Sequence, residues 1–321
     1  MFPTLYDFGT ITILGRPYPI GIHSYGIMMA LAFLTALVGL QREFPRKNID
    51  VQLAYSIVFR AVVFGVLGAK IYYVIEFRRP FDSLISIIAS FFSSSGLVLY
   101  GGLIAGSVAV LYTIYRSGSP MLPIIDAIGP LLLLGIGIGR IGCLLAGDGC
   151  YGRRCTLPWP WGMEFPAGIK PTIDRISGEV FSVYPTPLYD FLLMVVAFSL
   201  FWRFRKKLER VPGVISGLVL IYIGVERFII EFWRRNERYV YWQDGHIFPI
   251  FNKLEFSDQM PFGFSGSQLI SVLLLIPVGI LLVFWSRKRP IEIPDELLPE
   301  PRLQDVPPKQ TPKKRKKKRR A

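Results

Sequence analysis

Arg140 lies inside an apolar run that begins near Met121 and closes in GIGIGRIGCLLAGDGCYG, residues 135–152. An ionised side chain at membrane depth costs roughly 2.5–3.5 kcal/mol on insertion scales unless it faces a cavity or a partner. Glycines stand around it at 135, 137, 139, 142, 147, 149 and 152. Gly135 and Gly139 form a small-xxx-small pair that lets a helix or ligand approach the backbone. A guanidinium in such a place suits a phosphate, to which it donates two parallel hydrogen bonds. Two readings stay open at this point: a phosphate-binding cation, or a snorkelling or structurally paired one.

Other side chains have comparable ambiguity. Arg227 and Glu231 are spaced i, i+4 and share a helix face. They form either a buried ion pair that fixes packing or a second cation oriented by a carboxylate. Asp148 is a turn residue between glycines or a proton acceptor. Asp126 reads as a charge near a helix N-terminus. Tyr25, Tyr100 and Tyr189 sit near span ends, where tyrosines are common. Cys143 is read as a structural thiol, since an apolar setting disfavours the thiolate. Cys150 and Cys155 fall in a loop where an oxidising compartment would permit a disulfide; that pairing is left open. Two histidines and three cysteines argue against a Cys/His metal cluster of ordinary type, and no metal or cofactor is expected.

The elements that must position these residues are membrane spans. The chain is 51% hydrophobic with a mean hydropathy of +0.41, above ordinary soluble domains. Apolar runs approach or exceed the roughly 20 residues a spanning helix needs. The expected fold is all-α, polytopic, with about seven transmembrane helices. The spans are 20–40, 53–77, 96–115, 121–146, 186–204, 214–232 and 267–285. Residues 81–95 are too short to span and read as interfacial or re-entrant. Arg60 and Lys70 inside the second span imply that one of its faces meets other helices or a cavity.

The 41–50, 116–120 and 203–210 loops and the tail share one side. The 203–210 loop alone carries five Lys/Arg against one Glu. By the positive-inside rule that side is cytoplasmic and the N-terminus is outside. His23, Arg140, the small 147–183 unit, Tyr184 and Arg227 then gather toward the outer half. Of the chain's net charge of +14, residues 287–321 hold +8. This basic, Pro-rich tail is expected to be cytoplasmic and disordered, with a possible draw toward anionic lipid. The charge therefore does not argue for nucleic acid. No cleaved signal peptide is read at the N-terminus.

HSYG (23–26), YGGL (100–103), GRIGCLLAGDGCYG (139–152), YPTPLYD (184–190) and RFIIEFWR (227–234) occur in that order. Together they resemble the phosphatidylglycerol–prolipoprotein diacylglyceryl transferase family of bacteria, over about residues 20–285. The resemblance implies an enzyme of the bacterial inner membrane, residues 1–286 forming its transferase domain. It would move the diacylglyceryl group of phosphatidylglycerol to the lipobox cysteine of a prolipoprotein signal peptide, forming a thioether and releasing glycerol phosphate. It also implies that Arg140 and Arg227 hold the phosphate and lipid head, with Tyr25, Gly152 and Glu231 completing the site. Gly101, Gly102 and Tyr189 are added as substrate-binding residues, and Tyr100 and Asp148 as catalytic ones. The chain departs from some members at Tyr100 (His) and Cys143 (Asn) and from the best-known ones at Asp148 (Glu), and the His and Gln of the fourth motif are replaced by Tyr184 and Pro187. The competing readings are a lipid or anion transporter, whose inverted repeats and broken midplane helices are not evident, and a lipid-binding paralogue without catalysis.

Overall fold

The computed structural model describes residues 2–13, 16–76, 99–174, 176–234, 240–243, 246–248 and 263–288. Seven long helices dominate it: α1 (Ser24–Arg46), α2 (Val51–Glu76), α3 (Leu99–Ser117), α4 (Met121–Ala146), α5 (Thr186–Leu208), α6 (Val214–Ile230) and α7 (Gly266–Lys288). Five of them, α1, α2, α4, α5 and α7, are long and apolar enough to cross a membrane by length and composition. The interfacial reading of 81–95 and the tail beyond residue 288 lie outside the described residues.

Local chemistry explains the helix ends. α4 stops where Gly147 enters the left-handed region at φ 58° and donates its N–H to the Cys143 carbonyl, a common glycine C-cap. α5 starts behind Pro185, carries Pro187 in its first turn, and ends with Arg205, Lys206 and Lys207 over its carbonyl terminus. α7 opens with a capping box between Ser265 and Gln268. One π-helical turn, Ser271–Leu275, interrupts it. Asp126 serves a helix N-terminus, but not that of its own helix. Its carboxylate accepts hydrogen bonds from the backbone N–H of Gly213 (2.6 Å) and Ser216 (2.8 Å), clasping α6 to α4.

Successive helices alternate in direction, so the bundle has two unlike ends. At one end Arg46 bonds Glu209 (2.5 Å), Lys47 approaches Glu209 (3.5 Å) and Arg205 bonds Glu43 (2.7 Å). There the packed core joins Phe44, Leu53, Ile57, Ile114, Ile124 and Leu131. A second cluster, including Leu133, Met194, Ile215 and Val219, ties α4 to α5 and α6. Large apolar side chains cover the outside, among them Phe59, Ile104, Val108, Leu200, Leu273 and Phe284. So wide an exposed apolar surface marks a membrane contact.

One expectation changes and one position is better defined. Gly101 and Gly102 pack against α2. A Cβ at Gly101 would fall 2.3 Å from the Gly68 carbonyl oxygen, and one at Gly102 would fall 2.9 Å from that of Gly65. Their small size lets α3 lie directly on α2, and Arg60 Nη1 donates across the same contact to Thr113 Oγ1 (3.1 Å). The N-terminal segment is also more structured than expected. Strands β1 (Thr4–Ile13) and β2 (Arg16–His23) form an antiparallel hairpin, so residues 20–23 are strand and α1 starts later. Phe2 N–H donates to the Leu145 carbonyl (3.1 Å), satisfying an orphan acceptor at the end of α4. Strands β3 (Val240–Gln243), β4 (His246–Phe248) and β5 (Gly263–Phe264) form a second small sheet ordered β4-β3-β5.

Candidate active site

The end opposite the Arg46–Glu209 cluster collects the start of α1, the end of α4, the start of α5, the end of α6 and the start of α7. Residues 147–184 pack over it as a compact unit around Tyr151, Phe165 and Val183. Its attachment is a backbone ladder. Gly152 N–H donates to the Tyr184 carbonyl (2.7 Å) and Arg153 N–H to the Trp233 carbonyl (2.9 Å). Gly152 also pairs with Arg234 in an antiparallel bridge. A Cβ on Gly152 would sit 2.4 Å from the Trp233 carbonyl oxygen and 2.9 Å from Tyr184 Cβ. Glycine at 152 is therefore a requirement of the close approach.

Arg140 projects from the last turns of α4. Its Nε lies 2.9 Å from Oδ2 of Asp190, which is 1% exposed on α5. Asp190 meets the guanidinium on its Nε side, as an ion pair. Asp190, Cys143, Cys150 and Glu226 all lie within electrostatic reach of Arg140. Arg227 Nη2 approaches Glu231 Oε2 at 3.3 Å, as the i, i+4 spacing predicts, and donates to Ser267 Oγ at 3.4 Å. Arg227 also feels Arg234, Arg140 and Asp190. Three guanidinium nitrogens, Arg153 Nε, Arg227 Nη1 and Arg234 Nη1, are buried with no hydrogen-bond partner among the described residues. Buried donors are nearly always paired, so such orphans call for an explanation. Arg227 lies within electrostatic reach of Arg140 and Arg234, and the backbone ladder sets Arg153 against Trp233.

Tyr25, at the start of α1, lies over the glycines of α4. A Cβ at Gly142 would meet its ring at 3.1 Å. Arg140, Cys143, Asp148 and Cys150 are its electrostatic neighbours. Asp148 Oδ1 accepts from the Cys150 N–H (2.9 Å), so its carboxylate does shape the turn. All three cysteines are free; Cys150 neighbours Cys143 rather than Cys155. The Cys150 thiol is held below its ordinary value, first by its hydrogen bond with Cys143. Arg234 and Arg140 act in the same direction, against burial and Asp148. Tyr189 donates its hydroxyl to the Trp161 carbonyl (2.9 Å), which ties it to the 147–184 unit. Tyr100 is in the first turn of α3; its side chain lies outside the described residues.

The structure thus brings together Tyr25, Arg140, Asp148, Gly152, Arg227 and Glu231. Sequence reasoning did not single out Asp190, Glu226, Arg153 and Arg234. One signal was available for Glu226: it is an acidic residue inside an apolar span, and it is buried at 6% exposure.

The family model described as prolipoprotein diacylglyceryl transferase matches residues 13–285. Among curated relatives, the phosphatidylglycerol–prolipoprotein diacylglyceryl transferase of Clostridium tetani is 30% identical over 230 residues, covering 70% of this chain and 86% of that protein. The proteins of the same name from Bordetella avium and Thermus thermophilus are each 31% identical. Their alignments cover 69% and 70% of this chain, and 81% and 75% of those proteins.

Proposed function

The chain belongs to the prolipoprotein diacylglyceryl transferase family, and from that premise we propose how its site transfers a diacylglyceryl group from phosphatidylglycerol to a prolipoprotein. The observation that carries the assignment of the site is the set of buried guanidinium nitrogens with no hydrogen-bond partner among the described residues. Arg140 and Arg227 hold the lipid phosphate. Arg153 and Arg234, fixed by the Gly152 ladder, enlarge the cationic lining. The cysteine sulfur of the prolipoprotein attacks the glyceryl carbon that bears the phosphate oxygen. A C–S bond forms, the C–O bond breaks, and glycerol phosphate leaves with the electron pair. The charge that develops on that oxygen meets preorganised guanidiniums, the setting in which electrostatic stabilisation is strongest.

The thiol proton needs an acceptor. Asp148 and Glu231 are the carboxylates proposed for it, directly or through water. Tyr100 is assigned a donor role, because an ordinary phenol is protonated at neutral pH. Tyr100→Phe should then lose one hydrogen bond, roughly 0.5–3 kcal/mol, or at most about a hundredfold in rate. A ten-thousandfold loss in an inserted, folded variant would make Tyr100 the acid–base residue.

We place the chain as a multi-pass protein of the bacterial inner membrane, with its site toward the outer leaflet and the 287–321 tail in the cytoplasm. A reporter active only in the cytoplasm should work when fused at Ala321 and fail within 165–175; the reverse would invert the orientation. Purified protein given phosphatidylglycerol and a lipobox peptide should yield the thioether peptide and glycerol phosphate. Lipid binding without product would favour the non-catalytic paralogue, and lipid movement without product the transporter.

A further inference from the structure

The last turn of α4 and the loop behind it hold two thiols that lipid transfer does not account for, beside the carboxylate of Asp148. Cys143 Sγ, Cys150 Sγ and a carboxylate oxygen of Asp148 all lie within 4.8 Å of one another. Among the described residues no other three His, Cys, Asp or Glu side chains cluster this way. The backbone makes the cluster. Gly147 (φ 58°) and Gly149 (φ 90°) both take left-handed conformations, which fold residues 148–150 back over the helix end and deliver Cys150 to Cys143. Asp148 uses Oδ1 for the turn, on the Cys150 N–H, and its second oxygen is the remaining donor.

Two thiols and one carboxylate form a soft, anionic donor set. Zinc binds thiolate at about 2.3 Å and carboxylate at about 2.0–2.2 Å in tetrahedral geometry, so neighbouring donors must stand roughly 3.5–4 Å apart, within the observed limit. Two thiolates and a carboxylate bring three negative charges. A divalent cation leaves one, and Arg140 and Arg234 both lie within electrostatic reach of Cys150 to offset it. A count of histidines and cysteines misses this set, because its third donor is an aspartate.

We propose that Cys143, Asp148 and Cys150 bind a thiophilic divalent cation, of which zinc fits best, with a fourth position open toward the site. The cation would pin the 147–152 loop to the end of α4. It would also occupy Asp148 and add positive charge beside Arg140 and Tyr25, so its effect on transfer would be inhibition.

The test uses the full-length protein, reduced and purified in detergent, with Co²⁺ as a spectroscopic stand-in for Zn²⁺. One Co²⁺ per chain should bind with a thiolate-to-cobalt absorption band, and Zn²⁺ should displace it. Zn²⁺ should also shield two of the three thiols from a thiol reagent, a measurement that needs no substitution. Cys143→Ser and Cys150→Ser should each weaken binding at least about tenfold and lose band intensity, whereas Cys155→Ser should keep both. Asp148→Asn should weaken binding while the thiolate band persists. The proposal is overturned by no thiolate band, by unshielded thiols, by unchanged affinity in Cys150→Ser or Asp148→Asn, or by recovery of Cys143 and Cys150 as a disulfide from reductant-free protein.

Discussion

Arg140→Lys should impair transfer almost as completely as Arg140→Ala, with a loss on the order of 10²–10⁴-fold. Removing one partner of a buried charge pair costs about 3–5 kcal/mol, and each 1.36 kcal/mol is tenfold in rate. Lysine keeps the charge but loses the fork. Arg140 meets Asp190 on its Nε side at 2.9 Å, and a guanidinium can donate two parallel hydrogen bonds to a phosphate. A lysine ammonium is a single point charge on a flexible stem. It must choose between Asp190 and the phosphate, and either choice leaves an anion uncompensated. Initial rates on phosphatidylglycerol and a lipobox peptide would decide the matter, in variants shown to insert at normal levels. A lysine variant within tenfold of the parent would mean that field strength alone is sufficient and that bidentate holding is wrong.

Gly152→Ala should cost about a hundredfold or more in transfer while leaving the helices inserted. The added methyl group would lie 2.4 Å from a backbone oxygen and 3.2 Å from Thr186 Cγ2. Neither the Trp233 carbonyl nor the α5 start can yield without breaking the ladder. Overpacking usually costs 1–3 kcal/mol where side chains can shift; here the obstacle is backbone, so the upper part of that range, about a hundredfold, is expected. Displacement of the ladder carries Arg153 and Arg234 with it. Gly65→Ala is the matched control, since its Cβ would meet only a carbonyl oxygen at an ordinary 3.8 Å. Comparable losses in the two variants would remove the special role of Gly152.

The bounds of α4 could be read from the chain because two independent signals agree: an uninterrupted apolar run and a glycine stop at 147. The alternating helices followed from the apolar runs in the same way. The N-terminal hairpin did not, because Pro17, Pro19 and Gly21 speak against a strand when taken singly; the pairing of β1 with β2 is a tertiary gain that overrides propensity. Arg140, Arg227 and Glu231 stood out because charge inside apolar sequence is rare. Asp190 is as deeply buried, yet it sits where a span begins, and there a carboxylate looks ordinary. Only the fold shows that a residue 50 positions from Arg140 is its partner. Gly101 and Gly102 pose a related difficulty. Small residues signal a close approach, and only the fold shows that α2 is what lies against them.

The π-helical turn in α7 has a consequence for how chain length varies in such proteins. On one side of it Ser267 and Gln268 reach Arg227 and Phe228 at the end of α6; on the other, Gly279 packs on Gly217. A π turn holds one residue more than the α-helix it interrupts. Losing a single residue from 271–275 would let that turn relax to α-helix without rotating either flank off α6. A loss elsewhere in the helix would swing one flank by about 100°. The stretch thus acts as a reading-frame buffer: sequences that differ by one residue there can keep the same pair of contacts, and an alignment gap is tolerable at that place and at few others along α7.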